Sequence, residues 1–198
     1  MQGEVAFVSG GSRGLGLEIA HEVGRRGGTP VIYARSEAEI ARALRALQRD
    51  GIEAWGVAGD VRDRVQTAAA IDETVRRYGR LDVLINAAGV INVGPIAAMR
   101  REDYEDALAT HFWGAFNTIE AALPHFRARG GGRIGNVSSI GGRIGVPHLV
   151  PYSASKFALA GFSEGLRAEL APERISVTTI FPGLMRTGSP RNAQVKGQ

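Results

Sequence analysis

The 198-residue chain contains no cysteine. Disulfides, thiolate nucleophiles and cysteine-based zinc sites are therefore excluded, and a reducing, cytoplasmic setting is the expectation. Lysine is nearly as scarce: of 24 basic residues only Lys156 and Lys196 are lysines, the rest arginine. No stretch approaches the roughly 20 apolar residues of a membrane-spanning helix, and Met1-Gln2-Gly3-Glu4 lacks the charged-then-apolar run of a signal peptide. The net charge of +4 raises the question of nucleic acid. However, Arg25, Arg26, Arg76, Arg77, Arg100 and Arg101 are scattered, with no basic run interleaved with aromatics. Neither nucleic acid nor a membrane is expected as a partner. Internal repeats and linker-like tracts are also missing, so a single domain over residues 1–198 is the expectation.

What is present is an alternation of short apolar runs with longer helical ones. Val5-Ala6-Phe7-Val8-Ser9 predicts a buried strand, followed by a helix from Gly14 to Gly27. Val31 to Ala34 leads into a helix over 37–49, with Ile40, Ala43, Leu44 and Leu47 at helical spacing. Ala54 to Ala58 is a third strand, with a helix through Ile71 and Val75 after it, and Leu81 to Ile85 a fourth. One long helix is predicted over 101–128, a fifth strand over 134–137, a further helix over 152–170 and a sixth strand over 175–180. Continuous apolar strands each followed by a helix predict a doubly wound α/β domain: a parallel sheet covered on both faces. Ligands of such folds bind beyond the carboxyl ends of the strands.

After the first strand comes Gly10-Gly11-Ser12-Arg13-Gly14-Leu15-Gly16, opening into a helix. Glycines permit a tight turn and a close backbone approach to a pyrophosphate, whose charge the helix start favours. By itself the cluster is weak evidence, because strand-to-helix turns also take glycine for packing. The end of the second strand carries Ala34 and Arg35 where an acidic residue would bind the ribose hydroxyls of NAD. Arg13 and Arg35 at one mouth suit a 2′-phosphate, which favours NADP over NAD.

Tyr152-Ser153-Ala154-Ser155-Lys156 places a tyrosine and a lysine four residues apart, on one helix face. Hydride arriving at a carbonyl carbon leaves an alkoxide that needs a proton, and the reverse reaction needs one removed. A phenol titrating near 10 is a poor match to neutral pH, but an ammonium within about 4–6 Å lowers it. Such a pair arises by chance on surface helices. Here it holds one of only two lysines, where a compact ammonium is chemically wanted.

With the glycine turn, Asn86-Ala87-Ala88-Gly89 after strand four and the Tyr152–Lys156 motif, the sequence resembles the short-chain dehydrogenase/reductase family from about Gly3 to Thr187. The resemblance implies hydride transfer between NADP(H) and the carbonyl or alcohol carbon of a small molecule, with Tyr152 and Lys156 as proton-transfer pair. Ser139 corresponds to the family's catalytic serine. It also implies that Gly10, Ser12, Arg13, Gly14, Leu15 and Gly16 hold the phosphates, and that Asp60 and Val61 flank the adenine. Asn86 and Gly89 would support the cofactor and the sheet, while Pro182, Gly183 and Thr187 would hold the nicotinamide. Homodimers through the two long helices, or homotetramers, are implied as well.

Three departures stand out. His111 occupies a position where the family usually has an asparagine that organises a proton path behind the lysine; it could relay protons itself or simply pack. Ala87 replaces a second asparagine, and the chain stops at Gln198. Family members usually continue through a substrate-covering segment and a last strand, so the expectation is a C-terminally shortened chain. The alternative function is an NADP(H)-binding sensor without turnover. His148 is a candidate specificity residue in the loop between Ser139 and Tyr152.

Overall fold

Ser9, Tyr33, Asn86 and Asn136 lie side by side near the carboxyl ends of four adjacent strands, and that alignment builds the site. In the computed structural model, described for residues 1–185 and 192–197, a six-stranded parallel sheet runs in the order β3-β2-β1-β4-β6-β7. The strands are β1 (Val5–Ser9), β2 (Thr29–Ala34), β3 (Trp55–Ala58), β4 (Val83–Asn86), β6 (Gly132–Val137) and β7 (Ile175–Ile180). The helices are α1 (Gly14–Arg25), α2 (Glu37–Arg49), α3 (Arg64–Tyr78), α4 (Arg101–Leu108), α5 (Gly114–Arg129) and α6 (Val150–Leu170). Strand order reverses between β1 and β4, which opens a crevice at their carboxyl ends.

Strand period and helix faces explain the layering. Val5, Phe7, Val31 and Tyr33 point to one side, where Ile71 of α3 and Ile119 and Phe126 of α5 cover them; Phe7 and Tyr33 stack with ring centroids 5.3 Å apart. Ile32 points to the other side and meets Ala20 of α1 and Ile40, Ala43 and Leu47 of α2. Phe7, Ile32, Tyr33, Leu47, Ile71, Ile119 and Phe126 are sealed from water, each contributing roughly 1.5–3 kcal/mol of burial. Helix ends follow sequence chemistry: Ser36 caps α2, Asp63 accepts the Val65 and Gln66 N–H groups of α3, and Gly79 follows α3 in the left-handed region at φ 70°.

Three predicted features differ. The single helix expected over 101–128 is interrupted by a wide π turn, Ala109–Trp113, between α4 and α5. A π turn closes on the fifth residue rather than the fourth, so periodicity alone does not reveal it. β4 begins at Val83 rather than Leu81, because Asp82 is occupied with β1: its side chain accepts the Val5 N–H at 2.8 Å and its own N–H donates to the Val5 carbonyl. Finally, β5 (Asn92–Val93) pairs in parallel with β8 (Gln194–Val195), a small second sheet the pattern does not announce. Among the described residues no helix is long and apolar enough to cross a membrane.

Candidate active site

A cleft of about 360 Å³ lies beyond the carboxyl ends of β1, β2, β4 and β6. The glycine turn forms its floor: Gly10, Ser12, Arg13, Gly14, Leu15 and Gly16 all line it. Two of these positions admit only glycine. Gly10 sits at φ 71°, and a Cβ there would fall 2.6 Å from the Ala88 nitrogen; a Cβ on Gly16 would fall 2.3 Å from the Gly10 carbonyl oxygen. Backbone meets backbone in both cases, so neither neighbour can yield. The result is a cradle at the start of α1 that no side chain fills at Gly10, Gly14 or Gly16, where N–H groups and the helix dipole favour a phosphate. These residues fit the pyrophosphate of a dinucleotide.

Of the other residues singled out from the sequence, Arg35, Asp60, Val61, Gly89, His111, Tyr152, Lys156 and Pro182 also line the cleft. Other predicted residues lie elsewhere. Asn86 is buried beneath the cleft, where it accepts from Ser9 at 3.3 Å and Thr118 at 2.6 Å and donates to Asn136 at 2.9 Å. This ties β1, α5, β4 and β6 together, so its side chain supports the sheet and not a ligand. Gly183 is exposed and outside the lining, and Thr187 lies outside the described residues. Arg13 is engaged by Glu39 at 3.0 Å, so the two predicted phosphate ligands are not equally free. Asp60 is held by Arg62: burial works to raise its carboxyl, but hydrogen bonds from Arg62 outweigh it and keep it below the usual carboxylate range.

The end of the cleft where proton transfer is expected from the sequence is assembled from β6, the turn after it and α6. Ser139 caps the short turn Ile140–Gly142, accepting the Gly141 N–H at 3.1 Å, and its hydroxyl hydrogen-bonds Tyr152. Lys156, 5% exposed, donates from Nζ to the Val137 carbonyl at 2.8 Å, with the Tyr152 ring centroid 5.7 Å away. Pro151 lies in the first turn of α6, where its missing N–H costs nothing. From the sequence, the ammonium is expected to lower the phenol. In the structure burial dominates instead: it pushes the Tyr152 phenol up, against the Ser139 hydrogen bond, and drives Lys156 down to about 7. The correction has a plain cause. Lys156 is buried and Tyr152 half-buried, and desolvation penalises whichever form is charged.

His111 lies in the π turn and is 1% exposed. Its Nε2 accepts the Val90 N–H at 3.1 Å, which places the ring proton on Nδ1. Nδ1 then donates to Ser155 Oγ at 2.7 Å, and that hydroxyl donates to the Tyr152 carbonyl at 2.8 Å. The ring also stands edge-on to Tyr152, centroids 5.4 Å apart. Burial, together with the Lys156 charge, lowers its pKa well below the ordinary value, so the imidazole is neutral. Both nitrogens are thus committed to holding the cleft wall and the start of α6.

Reading the sequence alone overlooks several lining residues: Tyr33, Ser36, Glu39, Val90, Ile91, Ser138, Met185, Asn192 and Gln194. Ser36 and Glu39 carry a visible signal, the S-x-x-E spacing at the start of α2. Gln194 carries none, since it arrives through β8. His148 is exposed at φ 64° and outside the lining; its carbonyl accepts the Gly94 N–H.

The chain matches the family model described as short chain dehydrogenase over residues 4–196. A protein of Streptomyces coelicolor assigned as a ketoacyl reductase is 39% identical over 195 residues, covering 98% of this chain and 74% of that one. A 3-oxoacyl-[acyl-carrier-protein] reductase of Staphylococcus aureus is 32% identical over 181 residues, covering 91% and 74%. The solved structure of a variant actinorhodin polyketide ketoreductase with NADPH superposes at a TM-score of 0.90 with 39% identity, over 93% of this chain and 71% of that one. The glycine cradle, the Ser139–Tyr152–Lys156 grouping and these likenesses agree, and the chain belongs to the short-chain dehydrogenase family of oxidoreductases.

Proposed function

We propose that this chain reduces the carbonyl group of a small molecule with NADPH, Tyr152 giving the proton. The observation that carries this reading is the convergence of Tyr152 and Lys156 at one end of a glycine-lined cleft, with Ser139 just outside the lining and hydrogen-bonded to Tyr152. Bound NADPH would supply the hydride. Arg35, at the other end, is available to a 2′-phosphate, and the ketoreductase similar to this chain was solved with that cofactor. Gly89 and Pro182 bound the space between.

The protonation states favour reduction. Tyr152 is a neutral phenol at pH 7, the form that can protonate a nascent alkoxide. Ser139 holds the phenol and can share its hydroxyl with the substrate oxygen as charge grows there. Lys156, close to its midpoint at neutral pH, can restore the proton or steady the phenolate afterwards. His111 acts as a positioning residue through Ser155, since its nitrogens are already committed. No feature of the site favours the binding-only alternative.

Pairing of two copies through α5 and α6 is part of the proposal. Trp113 is 52% exposed beside Phe112 and Phe116, which in turn pack on Phe162, and an apolar groove runs between Phe116, Leu123, Phe162 and Leu166. Sedimentation of the purified chain reads the assembly state.

Tyr152→Phe and Arg35→Ala test the reading in NADPH-consumption assays with a panel of ketones and aldehydes. Tyr152→Phe should bind NADPH normally and lose about 10²–10⁴-fold in turnover. Arg35→Ala should weaken NADPH much more than NADH. Ketone reduction by Tyr152→Phe at the wild-type rate would overturn the assignment, and equal losses for both cofactors would remove the 2′-phosphate argument.

A further inference from the structure

Two carboxylates line the cleft among the described residues, Glu39 and Asp60. Asp60 is saturated by Arg62, which reaches it through Nε and Nη2. Glu39 is placed differently. It is the third residue of α2, its N–H capped by Ser36 Oγ, and its carboxylate reaches across to the glycine turn. There Oε1 takes Arg13 Nη1 at 3.0 Å and Oε2 takes the Ser12 hydroxyl at 3.1 Å. Ser12 is buried, Glu39 half-buried and Arg13 exposed, so the contact sits at the rim with its donors facing the cleft.

We propose that Glu39 sets the cofactor preference of this chain, by holding the Arg13 and Ser12 donors that a 2′-phosphate would otherwise take. The proposal rests on the nicotinamide-cofactor reading given above. Two anions cannot share one guanidinium without cost. A 2′-phosphate that engages Arg13 must displace the Glu39 carboxylate and then lie beside it, like charge against like. A bare ribose makes no such demand: its hydroxyls can donate to the carboxylate while the Arg13 pair stays intact, the role an acidic group plays toward a ribose. Arg13 and Arg35 therefore pull toward the phosphorylated cofactor and Glu39 pulls against them. The balance is adjustable at one side chain. The carboxylate comes from α2 rather than from the end of β2, where Ala34 and Arg35 stand, so the strand-end position alone misstates the charge at this rim.

The experiment is direct titration of NADPH and NADH, by the fluorescence of the reduced nicotinamide, into the wild-type chain and Glu39→Gln. Glutamine keeps the length and the helix-start preference and removes the charge. NADPH should bind tighter and NADH weaker, moving the affinity ratio about fivefold toward NADPH, with the shift shrinking at high salt. A ratio unchanged within twofold, or moved toward NADH, overturns the proposal. A wild-type chain that prefers NADH defeats the NADP reading but leaves the Glu39 shift measurable. Failure of both cofactors to bind the wild-type chain overturns both.

Discussion

Replacing Lys156 by methionine should make the protein more stable and inactive. Its Nζ is held at the buried wall of the cleft by a neutral oxygen, the Val137 carbonyl, at 2.8 Å, and burial takes the group from the ordinary 10.5 to about 7. The unfolded chain keeps that lysine protonated up to its ordinary value, whereas the folded chain releases the proton above about 7. Folding is therefore penalised as pH falls from 10.5, and the penalty is complete near pH 7 and constant below it. At about 1.4 kcal/mol per pH unit the full penalty is at most about 5 kcal/mol. Methionine fills the same channel without charge but forfeits the carbonyl hydrogen bond, about 1 kcal/mol. The net expectation is a gain of about 2–4 kcal/mol at pH 7, vanishing by about pH 10. Urea denaturation of both proteins at the two pH values measures it, with NADPH turnover in parallel. A variant no more stable than wild type at pH 7, or a gain that does not shrink with pH, would refute the reasoning. A confirmed gain would mean that stability is sacrificed at this position for chemistry.

Two further perturbations address the supports of the site. His111→Leu leaves the Val90 N–H and the Ser155 hydroxyl without their ring partner, for a loss of about 2–3 kcal/mol. Because the folded imidazole is held neutral, wild-type stability should fall as pH drops below 6.5, by about 1.4 kcal/mol per unit, and His111→Leu should abolish that slope. A stable variant with an altered pH–rate profile would instead point to proton relay. Gly16→Ala drives a Cβ into the Gly10 carbonyl and should cost about 1–3 kcal/mol and most NADPH affinity, whereas Gly165→Ala on α6 meets open space and should stabilise by about 0.5–1 kcal/mol. Thermal melts and cofactor titrations of the pair decide it, and similar melting temperatures would show that the cradle is more yielding than its geometry implies.

Much of this architecture was legible because its signals are local. α2 and β7 fall where periodicity puts them, since Ile40, Ala43 and Leu47 repeat at helical spacing and β-branched residues fill 175–180. Gly10, Gly14 and Gly16 announce a tight strand-to-helix turn whatever surrounds it, and Tyr152 and Lys156 share a helix face by spacing alone. The π turn escaped because one extra residue per turn leaves the apolar pattern of 101–128 intelligible as one helix.

Sequence by itself determined the fold class, the glycine cradle and the shared helix face of Tyr152 and Lys156, all properties of residues close together in the chain. Tertiary structure alone decided what those residues experience. It withdrew Lys156 and Tyr152 from water so that desolvation dominates the shift of each. It committed both nitrogens of His111 to Val90 and Ser155, and it laid Glu39 across Arg13. The physical reason is the same in each case: a pKa or an ion pair depends on which groups share a space and how little water reaches it. Partners 21, 44 and 26 residues apart in the chain are brought together only by the packed sheet and helices.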